Sequence, residues 1–153
     1  MTLSKLLDHK LILTKYSSSS KDDLLSKLVD HIYSADIEFP IPKNDLLEVV
    51  QKREQIGGTM FPSGLSVPHA RLSDFEGFII ALATPNGPIF HEGIQLRLMS
   101  LLISSQTGGL YYLPTIAALA KISKDSEYLS RLTEADNPQL FIELIEKQDP
   151  HLN

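Results

Sequence analysis

Apolar positions recur every three to four residues along some stretches of the chain and run without interruption along others, and the two patterns predict different elements. Leu24, Leu25, Leu28, Val29 and Ile32 share one stripe of a helix running from about Lys21 to Tyr33. Ser20, with Asp23 three positions later, can cap its first turn by satisfying N–H groups that have no partner inside the helix. Pro40 and Pro42 interrupt regular structure; Leu46, Leu47, Val49 and Val50 then mark a second helix that runs to about Glu54 and ends in Gly57-Gly58. Farther on, Leu113, Ile116, Ala117, Leu119 and Ala120 predict a helix that tolerates Pro114 in its first turn, followed by a short helix around Glu127 to Leu132. Asp136-Asn137-Pro138-Gln139 supplies a cap, a first-turn proline and a capping-box partner for a last helix bearing Leu140, Phe141, Leu144 and Ile145. Leu3, Leu6 and Leu7 suggest a small helix at the N-terminus.

The uninterrupted runs are of strand length. Phe78 to Thr84 and Leu96 to Ser104 read as core strands of one sheet, separated by the turn punctuation Pro85-Asn86-Gly87-Pro88, and Leu11-Ile12-Leu13-Thr14 is a shorter β-prone run. Helices with a single apolar stripe, together with strands buried on both faces, predict an α/β fold: one sandwich domain over residues 1–153, with a mixed β-sheet flanked by helices on both faces.

Composition narrows the function. The 153 residues carry 42% hydrophobic and 22% charged positions, the makeup of an ordinary globular domain. Formal net charge is -5, and the basic residues never form a run longer than Lys52-Arg53. Such a chain offers no basic stripe for a nucleic-acid backbone or an anionic bilayer, so nucleic acid is not expected as a partner. The apolar runs fall well short of the roughly 18 residues a membrane span needs, so no membrane insertion is expected. The opening Met1-Thr2-Leu3-Ser4-Lys5 carries no apolar signal core, which makes the cytoplasm the expected location. With no cysteine, the chemistry rests on His, carboxylate, hydroxyl or backbone groups.

Histidines stand at positions 9, 31, 69, 91 and 151. His151 lies in the tail, His31 inside a helical pattern, and His9 and His91 in polar connections; all four read as solvated or structural. His69 differs. It follows Pro68 within Gly57 to Leu72, a segment whose three glycines and two prolines favour short strands and turns. A backbone constrained in that way can hold an imidazole in one orientation and so make it a better nucleophile; the alternative is that Pro68-His69 is only a rigid turn. No second His stands at i+3 or i+4 and no carboxylate cluster surrounds His69 in sequence, so neither a metal nor another cofactor is expected.

Arg53-Glu54, then Gly58-Thr59, then Gly64-Leu65-Ser66-Val67-Pro68-His69-Ala70-Arg71 resembles the Arg-Glu … Ser-Thr … Gly-Ile-Ala-Ile-Pro-His-Ala pattern of the fructose/mannitol-type enzyme IIA domains of the bacterial phosphotransferase system (PTS), a pattern shared by the nitrogen-regulatory IIA proteins. Leu113-Pro-Thr-Ile-Ala-Ala-Leu-Ala stands where that family has a His-Leu-x-x-Leu-Ala-x-Leu-Ala helix, so the resemblance covers essentially the whole chain. It implies a phosphohistidine carrier. His69 would accept a phosphoryl group from an HPr-like phosphocarrier protein and pass it to a IIB domain or signal with it, in sugar transport or nitrogen regulation. Arg53 takes the position of the family's arginine, whose forked donors suit phosphate oxygens. Thr59 takes that of its Ser/Thr, a hydroxyl donor. Arg71 reads as an exposed loop charge.

Two positions depart from the family pattern. Tyr112 stands where the family has a second active-site histidine, and a tyrosine hydroxyl can donate a hydrogen bond but does not shuttle protons near neutral pH. Met60-Phe61-Pro62 replaces a small Gly-Ile-Gly stretch and adds bulk behind His69. Two functions stay open. One is a phosphocarrier, with a regulatory nitrogen-type IIA preferred; the other is a phosphotransfer-deficient IIA-like module that regulates a transporter or kinase by contact alone. The phosphocarrier requires that His69 be reachable from solvent and flanked by Arg53.

Overall fold

Period-two alternation decides which way each strand faces, and it sorts the interior into two apolar layers. The computed structural model describes residues 1–57 and 60–152. The chain begins with α1 (Leu3–Leu6), a 3-10 turn (His9–Leu11), β1 (Ile12–Tyr16), α2 (Lys21–Ser34) and α3 (Lys43–Ile56). The irregular segment then supplies two short strands, β2 (Leu65–Ser66) and β3 (His69–Leu72), followed by β4 (Phe78–Pro85). A small hairpin, β5 (Phe90–His91) and β6 (Ile94–Gln95), precedes β7 (Leu98–Ser105), and α4 (Tyr112–Ser123), α5 (Ser126–Glu134) and α6 (Pro138–Gln148) follow.

The sheet is mixed, as expected. β4 pairs antiparallel with β7 at its centre, β1 runs parallel to β4 on one side, and β2 and β3 lie in succession along the far edge of β7, both parallel to it. Leu98 and Leu102 of β7, with Ile80 and Leu82 of β4, face the layer covered by α4, α5 and α6. Met99, Leu101 and Ile103, with Ala81 and Ala83, face the layer covered by α2 and α3. Each helix therefore needs only one apolar stripe, while the central strands are buried on both faces and mostly apolar.

The caps form as the sequence implies. Ser20 Oγ accepts the Asp23 N–H at 3.0 Å, and Asn137 Oδ1 accepts the Leu140 N–H at 2.8 Å ahead of Pro138. Two details differ from expectation. Leu113, expected on the apolar stripe of α4, is 70% exposed, and the buried stripe is instead Tyr112, Thr115, Ala118, Leu119 and Ile122. The stretch around His91, expected as a plain loop, is the β5–β6 hairpin, whose turn residues Glu92 and Gly93 both have positive φ, at 50° and 82°. Two positive φ values at a two-residue turn match the twist of the strands they join.

Gly64 starts the edge that carries the site. Its φ is +96°, and a Cβ there would lie 2.5 Å from the Gln95 carbonyl oxygen, so no other residue fits. The Gly64 carbonyl in turn accepts the Arg97 and Leu98 N–H groups, which docks the segment against the start of β7. Pro68 has no N–H to donate and so breaks the edge between β2 and β3, but its carbonyl still accepts the Leu102 N–H at 3.0 Å. His69 follows, fixed opposite Leu102.

Candidate functional site

On β3, Ala70 and Leu72 point into the α2/α3 layer, which by alternation turns His69 and Arg71 toward the α4 side. Tyr112, in the first turn of α4, lies over that face. Its ring meets the His69 ring edge-on, with centroids 5.6 Å apart and planes at 69°. From the other side the last turn of α3 reaches around the sheet edge, and Arg53 Nε donates to His69 Nε2 at 3.0 Å. A cleft of ≈ 570 Å³ opens between these elements, lined by His69, Arg53, Arg71, Tyr112 and the apolar side chains of Val49 and Ile56. Ile56 is 81% exposed at its rim.

The hydrogen bond from Arg53 defines the state of the imidazole. Nε2 accepts, so in the neutral ring the proton is on Nδ1. Nδ1 is buried, and among the described residues it makes no hydrogen bond of good geometry; the Val67 backbone is the polar group that acts on the ring. His69 is held below the ordinary histidine range, first because burial disfavours the charged ring, then because the Arg53 guanidinium, and to a smaller extent that of Arg71, repel it. The Val67 backbone and Glu54 act in the opposite sense and do not overcome these. A neutral ring at pH 7 with its Nε2 lone pair against a guanidinium has the chemistry to act as a nucleophile next to a receptor for anionic oxygens.

The sign of the pH dependence follows. An unfolded chain protonates His69 near 6.5, before the folded protein does, so the residue's contribution to stability is complete above about 6.5 and is lost as pH falls from there toward the folded value. Replacing Arg53 by Ala removes one of the two leading causes. The His69 ring resonances, followed by NMR against pH, are expected to titrate at a higher pH in Arg53→Ala than in the wild type; an unmoved midpoint would show that the guanidinium does not act on the ring.

Of the residues singled out in the sequence, His69, Arg53 and Tyr112 converge on this cleft. Thr59 lies outside the described residues. His69 is less open than expected: the residue is 8% exposed, with Tyr112 edge-on to its ring and Arg53 bonded to its Nε2, and it lines the cleft. It is the ring of Tyr112, not its hydroxyl, that meets His69. Arg71 is exposed, but on a strand and not in a loop, with its guanidinium carbon 4.7 Å from the centre of the Tyr112 ring. The i, i+2 spacing of His69 and Arg71 was the available signal for that placement. Behind the site, Glu54 pairs with Lys21 at 2.6 Å, an ion pair joining the end of α3 to the start of α2 that no sequence motif announces. Among the described residues, no group of three His, Cys, Asp or Glu is placed to hold a metal ion, and no helix is long and apolar enough to cross a membrane.

Known proteins are similar to this chain in sequence and in fold. A nitrogen regulatory protein of Bradyrhizobium diazoefficiens is 25% identical over 103 residues, covering 65% of this chain and 67% of its own length. The PTS system 2-O-alpha-mannosyl-D-glycerate-specific EIIABC component of Escherichia coli is 29% identical over 105 residues, 65% of this chain but only 16% of that longer protein. Among solved structures, the nitrogen regulatory protein IIA-Ntr of Neisseria meningitidis superimposes with a TM-score of 0.77 at 17% identity, over 94% of this chain and 98% of that one. Enzyme IIAMTL of Escherichia coli, solved in complex with phosphorylated enzyme IIBMTL, gives 0.72 at 13% identity over 92% and 97%. At such identities the structural likeness establishes the fold. The sequence model for the phosphoenolpyruvate-dependent sugar phosphotransferase system, EIIA 2, matches residues 5–148, a span that includes both Arg53 and His69. The chain belongs to that EIIA 2 family.

Proposed function

We propose that the chain, acting as one IIA unit over residues 1–153 in the cytoplasm, is a phosphocarrier in which His69 Nε2 accepts a phosphoryl group from an HPr-like protein. The observation that carries this is the 3.0 Å bond from Arg53 Nε to His69 Nε2 inside an open cleft, with the other ring nitrogen buried. In the transfer, the Nε2 lone pair forms a bond to phosphorus while the donor's N–P bond breaks and its electron pair returns to the donor imidazole. The ring proton stays on Nδ1. Arg53 moves its hydrogen bond from nitrogen to a phosphoryl oxygen, where a planar guanidinium binds in a forked, charge-assisted way. Thr59 is the proposed hydroxyl donor to the same group. Onward transfer goes to a IIB domain, the kind of partner that enzyme IIAMTL holds in its complex. A regulatory, nitrogen-type role is favoured by the relative named as a nitrogen regulatory protein.

One feature supports a second function. Tyr112 in place of a second histidine removes a titrating group from the cleft, as expected of a module that regulates a transporter or kinase through contact and no longer transfers phosphate. Incubation of the protein with phosphoenolpyruvate, enzyme I and HPr separates the two. The carrier is expected to acquire one acid-labile, base-stable phosphate, located on His69 by mass spectrometry. A folded protein that remains unlabelled is the contact module.

A further inference from the structure

Arg71 is a cation that no acidic side chain among the described residues neutralises. Among the described residues it makes no ion pair, whereas the neighbouring Lys52 is already paired with Glu48 at 2.7 Å. It leaves β3 on the same face as His69, two residues on, and lines the same cleft. Its guanidinium lies over the Tyr112 ring at 4.7 Å, and that same ring stands edge-on to His69. An aromatic face attracts a guanidinium and limits the directions in which it can turn, but it leaves the N–H donors in the guanidinium plane free for an anion. Arg53 spends only Nε on His69. The cleft thus holds two arginines beside His69, one bonded to its Nε2 and the other lying over the Tyr112 ring that meets it.

We propose that Arg71 is the second cationic arm of the phosphate site and that Tyr112 is a positioning residue, whose ring holds that guanidinium beside His69. This rests on the phosphocarrier function above. A transferring phosphoryl group carries its charge on three oxygens, and two guanidinium groups in one cleft reach more of them than Arg53 does alone. Tyr112 then acts through its face, and the hydroxyl is dispensable.

Phosphoramidate, a small phosphoryl donor, tests the site without any docking partner. Its N–P bond breaks with the electron pair leaving on ammonia, and the new N–P bond forms at His69 Nε2. Arg71→Ala alters an exposed strand residue and is expected to fold; its rate of His69 phosphorylation is expected to fall about 10-fold or more, the effect of losing a hydrogen bond to a charged group. Tyr112→Phe keeps the face and is expected to stay close to the wild-type rate, whereas Tyr112→Leu is expected to fall as far as Arg71→Ala. Because both changes remove one device, Arg71→Ala combined with Tyr112→Leu is expected to be no slower than Arg71→Ala alone. Wild-type speed in Arg71→Ala, or equal damage from Tyr112→Phe and Tyr112→Leu, overturns the proposal while leaving the carrier function intact. A wild type that takes up no phosphate from phosphoramidate or from HPr overturns both.

Discussion

Replacing His69 by Ala is expected to reduce phosphate incorporation to background in the presence of phosphoenolpyruvate, enzyme I and HPr. No other histidine is equipped to take over. His31 has its Nε2 bonded to the Lys10 carbonyl at 2.8 Å, while His9, His91 and His151 lie away from the Arg53 cleft, so their rings lack a guanidinium beside the nitrogen. The nucleophile is the bond-forming atom, and its removal leaves nothing for the two arginines to act upon. A phosphorylated His69→Ala protein would show that a different residue is the acceptor. The same substitution has a structural cost that an exposed histidine would not have. The ring is nearly buried, and its loss abandons the Arg53 bond and the edge-on contact with Tyr112. Destabilisation of about 1–2 kcal/mol is the expected result in chemical denaturation, small enough to leave the protein folded during labelling.

How much of this was legible in the sequence depends on the range of the interactions involved. Helix α2, its Ser20 cap, and the Asn137-Pro138 start of α6 are local, set by residues within one turn of each other, and all formed as expected. The central strands were legible because β4 and β7 are apolar at consecutive positions, which only a sheet covered on both faces requires. Glu92 hid the β5–β6 hairpin, because glutamate is not a residue that advertises positive φ, and only Gly93 hinted at the turn. Leu113 was misplaced for a similar reason: helical spacing admits two neighbouring stripes, and the large Tyr112 ring, drawn under the helix by His69 and Arg71, chose between them.

At the site, the approach of Arg53 to His69 was implied by family resemblance and not by spacing, since nothing local says that the end of α3 bends around a sheet edge. Burial of His69 was hidden for a similar reason. Glycine and proline around it implied the short strands and turns that form, but not that Tyr112, more than forty residues on in the chain, closes over that broken edge. The pairing of Lys21 with Glu54 spans 33 residues of chain and depends on how two helices pack, which no pattern in the sequence encodes.

That ion pair carries the largest expected effect on stability. Lys21 and Glu54 have side chains only 4% and 8% exposed, with their charged atoms 2.6 Å apart. Each also stands at the wrong end of its helix: an ammonium in the first turn of α2 and a carboxylate in the last turn of α3 both oppose the local dipole. Neither position makes sense alone, and each is explained by the other. Glu54→Ala leaves the ammonium buried without its counter-ion, which is expected to cost about 3–5 kcal/mol. For a chain of this size that corresponds to a fall in melting temperature on the order of 10 °C. The loss reaches the site as well, because Glu54 is bonded to the residue beside it in sequence: with the end of α3 released, Arg53 no longer approaches His69 from a fixed direction, and labelling is expected to slow. Lys21→Met combined with Glu54→Leu separates charge from anchorage. Apolar side chains of similar reach restore packing without a buried charge, so melting temperature is expected to recover relative to Glu54→Ala, and labelling to recover with it. Recovered stability with slow labelling would instead assign the Glu54 carboxylate a direct electrostatic role at His69, in line with its tendency to favour the protonated ring.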